Sequence, residues 1–194
     1  MRHLDLGCGK KPRNPFNCEE LYGVDLYSLP ENQNWGSYRQ VNLAAQSLPF
    51  PDSYFDSVSA FDVLEHIPRV WLQGSALEPP KFPFICLMDE VFRVLKANGV
   101  FYAVTPAYPR PQAFQDPTHV NFITIDTHKY FCGPDPYARA YGFRGNFWPV
   151  AIYWSRPKHA EFPKLSINKK LNNIYHRLRK KDASHLVWNL SKQR

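Results

Sequence analysis

No apolar run in this sequence is long enough to cross a bilayer, which takes about 20 residues. The longest, Trp148 to Trp154, also holds a proline. The N-terminus lacks a basic start followed by an apolar stretch: Met1 leads through Leu4, Asp5 and Leu6 into glycine. No secretory signal is read there, and a cytoplasmic protein is expected. Cysteine is sparse, and Cys8, Cys18, Cys86 and Cys132 form no C-x-x-C pair. That argues against a disulfide framework and a zinc knuckle and predicts reduced thiols. The seven histidines show neither H-x-x-x-H nor H-E-x-x-H spacing, so no metal site is expected. Internal repeats and low-complexity tracts are missing too.

What remains is globular, with 194 residues, 44% of them hydrophobic and 21% charged, enough for one core with an appendage. Charge divides unevenly. The first 155 residues carry 13 Lys and Arg against 15 Asp and Glu, whereas the last 39 carry 11 against 2. We therefore expect a body at 1–155 and a basic tail at 156–194. In the tail Ile167, Leu171, Ile174 and Leu178 recur with helical spacing among lysines and arginines, which reads as an amphipathic helix. Either it meets an acidic partner, such as an anionic membrane surface through residues 164–194 or nucleic acid, or it is a solvated helix on its own domain.

Half of the 18 prolines lie between Pro106 and Pro163, which predicts loops and short elements there. Upstream, short apolar runs at His3–Leu6, Leu21–Val24, Ser57–Phe61 and Val100–Val104 have strand length. Ile85, Met88, Val91, Phe92 and Leu95 predict a helix over Ile85–Ala97, stopped by Asn98-Gly99. Strands alternating with crossover helices predict an α/β, Rossmann-like doubly wound, mainly parallel sheet, with ligands beyond the carboxyl ends of its strands.

Leu4-Asp5-Leu6-Gly7-Cys8-Gly9 is an apolar strand running into two glycines, where a ligand can approach the backbone closely. The second run ends in Asp25, a carboxylate placed to accept two hydrogen bonds from a ribose diol. Pro12 stands where a dinucleotide fingerprint requires its third glycine, so a nucleoside cofactor without pyrophosphate is favoured over NAD or FAD.

Four ordered segments carry a resemblance. Leu4–Gly9 resembles the first motif of class I S-adenosylmethionine-dependent methyltransferases. Leu48-Pro49-Phe50-Pro51-Asp52-Ser53-Tyr54-Phe55-Asp56 is similar to the family's loop before strand four, Val63-Leu64-Glu65-His66-Ile67 to the segment after that strand, and Glu90–Val100 to the helix entering strand five. The resemblance implies that Asp5, Gly7, Cys8 and Gly9 hold the methionine part of S-adenosylmethionine and Asp25 its ribose. It implies further that Asn42 and Leu43 meet the adenine and that Phe61 lines the methyl-donor pocket. Asn42 departs from the commoner aspartate, and the first strand starts too near Met1 for the covering helix found in many relatives.

Methyl transfer needs position, desolvation and a group that takes the acceptor's proton. After strand five, the stretch Asp116-Pro117-Thr118-His119 resembles the segment roofing the family's acceptor site, which makes His119 the first base candidate. The alternative for His119 is a loop histidine bonded to a backbone carbonyl. His66 is the second candidate, or a residue that packs the turn after strand four, and Glu65 can be structural. The aromatic residues from Tyr137 to Trp154 read as core, two late antiparallel strands, before they read as a stacking platform. The resemblance extends to small bacterial methyltransferases associated with surface-polysaccharide biosynthesis and so implies methylation at oxygen or nitrogen of a small or lipid-linked glycan. Two alternatives stand beside it: a non-catalytic binding partner of the same fold, and a nucleic-acid methyltransferase using the basic tail.

Overall fold

A computed structural model describes residues 1–29, 37–72, 79–163 and 183–193. Seven strands form one sheet: β1 (Arg2–Leu6), β2 (Glu20–Asp25), β3 (Tyr38–Gln40), β4 (Phe55–Phe61), β5 (Leu95–Pro106), β6 (Phe147–Ser155) and β7 (His185–Lys192). Their order is β3-β2-β1-β4-β5-β7-β6, with β1 to β5 parallel and β7 antiparallel to both of its neighbours. The chain reverses direction across the sheet between β1 and β4, the switch point beyond which such sheets take ligands.

β1 is central and buried on both faces, so its polar residues need partners. His3 Nδ1 and Nε2 lie 2.7 and 2.8 Å from Ser57 Oγ and Ser59 Oγ, and Ser59 Oγ donates to Asp5 Oδ1 at 2.6 Å. Because Ser59 gives its proton to Asp5, it accepts from His3 Nε2–H, which leaves Nδ1 to accept from Ser57. Burial pushes the His3 imidazole down to about 4, so the ring stays neutral.

Among the described residues only one crossover is an α-helix, α1 (Pro83–Val94). Prolines explain part of this, since Pro12 and Pro15 interrupt the link from β1 to β2. Helix α1 starts on Pro83 and buries Phe84, Leu87, Met88 and Val91 at i, i+3, i+4 and i+7. The helix expected over Ile85–Ala97 thus starts two residues earlier and stops three residues earlier. Its last carbonyls explain the stop: Arg93 O and Val94 O accept from the amides of Ser53 and Tyr54 in the loop before β4. Asn98, at φ 62°, makes its turn inside the first part of β5. The same loop is held by the Arg93 guanidinium, which donates to Leu48 O, Phe50 O, Asp52 and Glu90 at 2.7–2.9 Å.

The aromatic run divides: Phe143 and Phe147 are buried, whereas Tyr137, Tyr141 and Trp148 are exposed. Only one of the two strands expected in this run exists, β6; Tyr137–Tyr141 forms a 3-10 turn, and the antiparallel partner of β6 is β7, which lies beyond the run. Here the expected tail at 156–194 is corrected. Residues His185–Lys192 are a strand of the sheet, inserted between β5 and β6, with Leu186, Val187, Trp188 and Leu190 fully buried. Composition pointed to a tail because basic residues dominate it, yet this stretch alternates apolar side chains onto both faces. The amphipathic pattern Ile167–Leu178 lies outside the described residues, and among these no helix is long and apolar enough to cross a membrane.

Ending the chain at residue 163 removes β7 and leaves β5 and β6 without the strand that joins them, so the truncated protein is expected not to fold. Trp188→Ala in the full chain should cost about 3–5 kcal/mol. Circular dichroism and urea unfolding measure both; a cooperative truncated form would show that β7 is dispensable.

Candidate active site

The turn after β1 is built for close approach. Gly7 and Gly9 have φ of 61° and 57°, a conformation costly for other residues. A Cβ on Gly7 would stand 2.4 Å from Val63, so only glycine lets the turn pass the segment after β4, whereas a Cβ on Gly9 would meet nothing within 4 Å. Cys8 lies between them, buried, its amide donating to Val24 O at 3.1 Å. Burial pushes its thiol up to about 12, so the thiol stays protonated.

Two carboxylates grip this turn. Asp25 Oδ2 accepts from the Gly9 amide at 2.8 Å, and Oδ1 accepts weakly from Tyr27 N at 3.4 Å. Each oxygen keeps a lone pair for a ligand hydroxyl. Asp5 is different: it is 2% exposed, and Oδ2 accepts from the Arg13 amide at 2.8 Å while Oδ1 holds Ser59. Its place is under the loop 10–13, so its support for a ligand passes through the backbone. Burial raises the Asp5 carboxyl to about 6.

Asn42 follows Val41, whose amide bonds Asp25 O at 2.8 Å. Its Oδ1 accepts from Ala44 N at 3.0 Å, closing a local turn. Leu43 packs against the core and lines a recess of about 510 Å³ with Trp71 and Cys86. Phe61, at the end of β4, is 8% exposed and carries the Arg13 guanidinium 4.5 Å above its ring. Arg13 was not singled out from the sequence, although it follows the glycine turn directly.

The two histidine candidates come together across 53 positions of sequence. The loop after β5 is clamped onto the 3-10 turn Leu64–His66: Val120 N and Asn121 N both donate to Glu65 O at 2.9 Å, and Asn121 Nδ2 donates to Leu64 O at 2.9 Å. Arg69 Nε reinforces the clamp by donating to Asn121 Oδ1 at 2.6 Å. The rings of His66 and His119 then meet edge to face, 4.8 Å between centroids. His119 Nδ1 lies 3.2 Å from Ala113 O, which is the backbone-bonded arrangement, with Nε2 still available. Glu65 is 1% exposed beside them, receives Thr105 Oγ1 at 2.9 Å, and burial lifts its carboxyl to about 8.

One polar group escaped the sequence reading altogether. His185 Nε2 is 3.0 Å from Asp62 Oδ1, and its Nδ1 is 2.8 Å from Ser184 Oγ. No local signal marks it, since its partner is brought near only by the pairing of β7 with β5.

A family profile described as a methyltransferase domain matches residues 4–103, more than half of the chain. The protein belongs to this family of S-adenosylmethionine-dependent methyltransferases. The chain is similar to a methyltransferase from Archaeoglobus fulgidus, described as dependent on the same cofactor, at 17% identity and TM-score 0.57, covering 100% of this chain and 86% of that one. It is similar also to the 1,6-didemethyltoxoflavin-N1-methyltransferase of Burkholderia thailandensis, whose structure holds its substrate and S-adenosylhomocysteine, at 17% identity and TM-score 0.53, covering 100% and 71%. No curated protein sequence matches the chain. S-adenosylmethionine is the cofactor, and the turn has the chemistry to receive it: glycines leave room and Asp25 retains acceptor capacity beside them.

Asp25→Ala should weaken S-adenosylhomocysteine binding about tenfold to a hundredfold, the worth of about 1.5–3 kcal/mol in hydrogen bonds to a charged group. Calorimetry decides, and an unchanged affinity in a folded variant removes Asp25 from the ribose site.

Asp5 gives a pH dependence with a definite sign. Its folded value of about 6 exceeds the unfolded 3.8, so it favours folding fully only below about pH 4, and that contribution is lost as pH rises through 6. Two pKa units amount to about 3 kcal/mol. In melts across pH 4 to 7, Asp5→Asn should show a flatter slope than the parent; parallel slopes would mean that Asp5 is not buried as a titrating acid.

Proposed function

We propose that the enzyme methylates an oxygen or nitrogen of a sugar-containing acceptor, small or lipid-linked, and that the acceptor surrenders its proton at the cluster of Glu65, His66 and His119. The observation that carries the reading is the convergence of that cluster beyond β4 and β5, joined through Arg69 and Asn121 to a cavity that other residues line. The cavity, about 480 Å³, is walled by Phe82, Tyr130 and Tyr141, with Arg69, Asp126 and Thr127 at its polar side. Aromatic faces suit the apolar face of a sugar ring, and the polar groups suit its hydroxyls. Arg69 belongs to both places, since its guanidinium also bonds Asn121 and the carbonyl of Phe122 in the loop that carries His119.

Bound S-adenosylmethionine supplies a methyl group already activated by its sulfonium charge. The chain's own work is then positional. Gly7 and Gly9 admit the ligand to the backbone, Asp25 holds its ribose, and Asp5 keeps the loop 10–13 in place from below. Asn42 and Leu43 stand next to Asp25 at the adenine end, and Phe61 closes the donor side. On the acceptor side, the loop 113–122 presents His119 Nε2.

His119→Ala should lower turnover by about two to four powers of ten while leaving S-adenosylhomocysteine affinity intact. The assay is transfer of labelled methyl to nucleotide sugars, lipid-linked saccharides and free glycans. Turnover near the parent level would take His119 out of the reaction; label entering only nucleic acid or protein would overturn the acceptor class.

A further inference from the structure

The cluster holds an atom that hydrogen bonding leaves unexplained. Glu65 is 1% exposed, and while Oε2 receives Thr105, the other oxygen, Oε1, is buried with no hydrogen-bond partner. Buried carboxylate oxygens are costly without a donor or a cation. One donor atom each from Glu65, His66 and His119 lies within 4.8 Å of the others.

The imidazoles are oriented in a way that serves a cation. His119 Nδ1 faces Ala113 O at 3.2 Å, and His66 Nδ1 faces Thr118 O at 3.3 Å and Thr118 Oγ1 at 3.1 Å. A carbonyl only accepts, so each ring donates from Nδ1, and Nε2 is the nitrogen whose lone pair can bind an ion. Thr118 Oγ1 gives its own proton to Asp116 Oδ1 at 2.7 Å and therefore also accepts from His66. A backbone carbonyl fixing the tautomer from behind is how metal-ligating histidines are held. Asp116 Oδ2, 3.9 Å from His119 Nε2, adds negative charge at the edge of the group.

We propose that Glu65, His66 and His119 bind one divalent transition-metal ion of the kind imidazole and carboxylate prefer together, with Zn²⁺ as the representative. The ion joins the turn after β4 to the loop after β5. Three protein donors leave a coordination position open. An ion here takes the Nε2 lone pair of His119, so in the metal-bound site His119 is a ligand in place of the base; if the acceptor reading above holds, an acceptor hydroxyl takes the open position and loses its proton to solvent, and the site itself does not depend on that reading. The sequence hid it because Glu65 and His119 are 54 positions apart, outside any short metal motif.

The test uses the full chain, stripped with a chelator and titrated with Zn²⁺ by calorimetry, with Co²⁺ absorption as a second readout. One equivalent is expected, with a rise in melting temperature. His66→Ala and His119→Ala should each weaken binding by about a hundredfold or more, beyond the 10–100-fold typical of losing a mere outer partner. His159→Ala, on an exposed residue elsewhere, should bind like the parent. Circular dichroism confirms that the variants fold, and Glu65→Gln supplies a third variant if either histidine change disrupts the loop. No saturable equivalent, or an affinity unchanged in the cluster variants, overturns the site. A chain that binds no Zn²⁺ yet methylates a glycan refutes only this inference; one that binds Zn²⁺ and methylates no glycan refutes only the acceptor class.

Discussion

Two carboxylates do for the glycine turn what a following helix does in many nucleotide-binding sheets. Pro12 and Pro15 deny the chain that helix. Asp25 instead takes the Gly9 amide, and Asp5 takes the Arg13 amide, so the turn is held from β2 on one side and from β1 beneath. Asp5 can be buried because Ser59 donates to it, and Ser59 is oriented by His3, which in turn rests on Ser57. A cost remains, visible in the raised carboxyl of Asp5. The glycine turn is therefore held through side chains whose protonation matters, in place of a helix dipole, whose charge is fixed.

Elsewhere, arginines and an asparagine do the equivalent work across the sequence. Asn121 bonds the turn at 64–65 through both its backbone and its side chain, and Arg69 closes on Asn121 from the cavity side. Arg93 fastens the loop before β4 in the same way, to four partners at once. Proline-rich connections give little regular hydrogen bonding of their own, so long planar side chains supply it.

Legibility in the sequence followed the range of the interactions. β1, β2, β4 and the later part of β5 were readable because each is a compact apolar run, and the turn with Asp25 was readable because its residues are 16 apart at the ends of adjacent strands. The end of α1 was not, since what stops it is a pair of amides from 40 residues upstream, at Ser53 and Tyr54. β7 was missed because its composition is averaged with the basic residues before it. His66 and His119 were picked singly, each from its own segment; that they share one cluster with Glu65 depends on the backbone clamp, which carries no residue signature beyond Asn121.

The placement of β7 changes what the charge asymmetry means. Ser155, at the end of β6, and Pro106, at the end of β5, both pair with His185 at the start of β7. The segment between β6 and β7 therefore leaves and re-enters at the carboxyl edge of the sheet, the edge that holds the glycine turn and the histidines. Residues 164–182 carry seven Lys and Arg against one Asp. In sequence they belong to an insertion between two paired strands, Ser155 ending one and His185 starting the next, and not to a free tail.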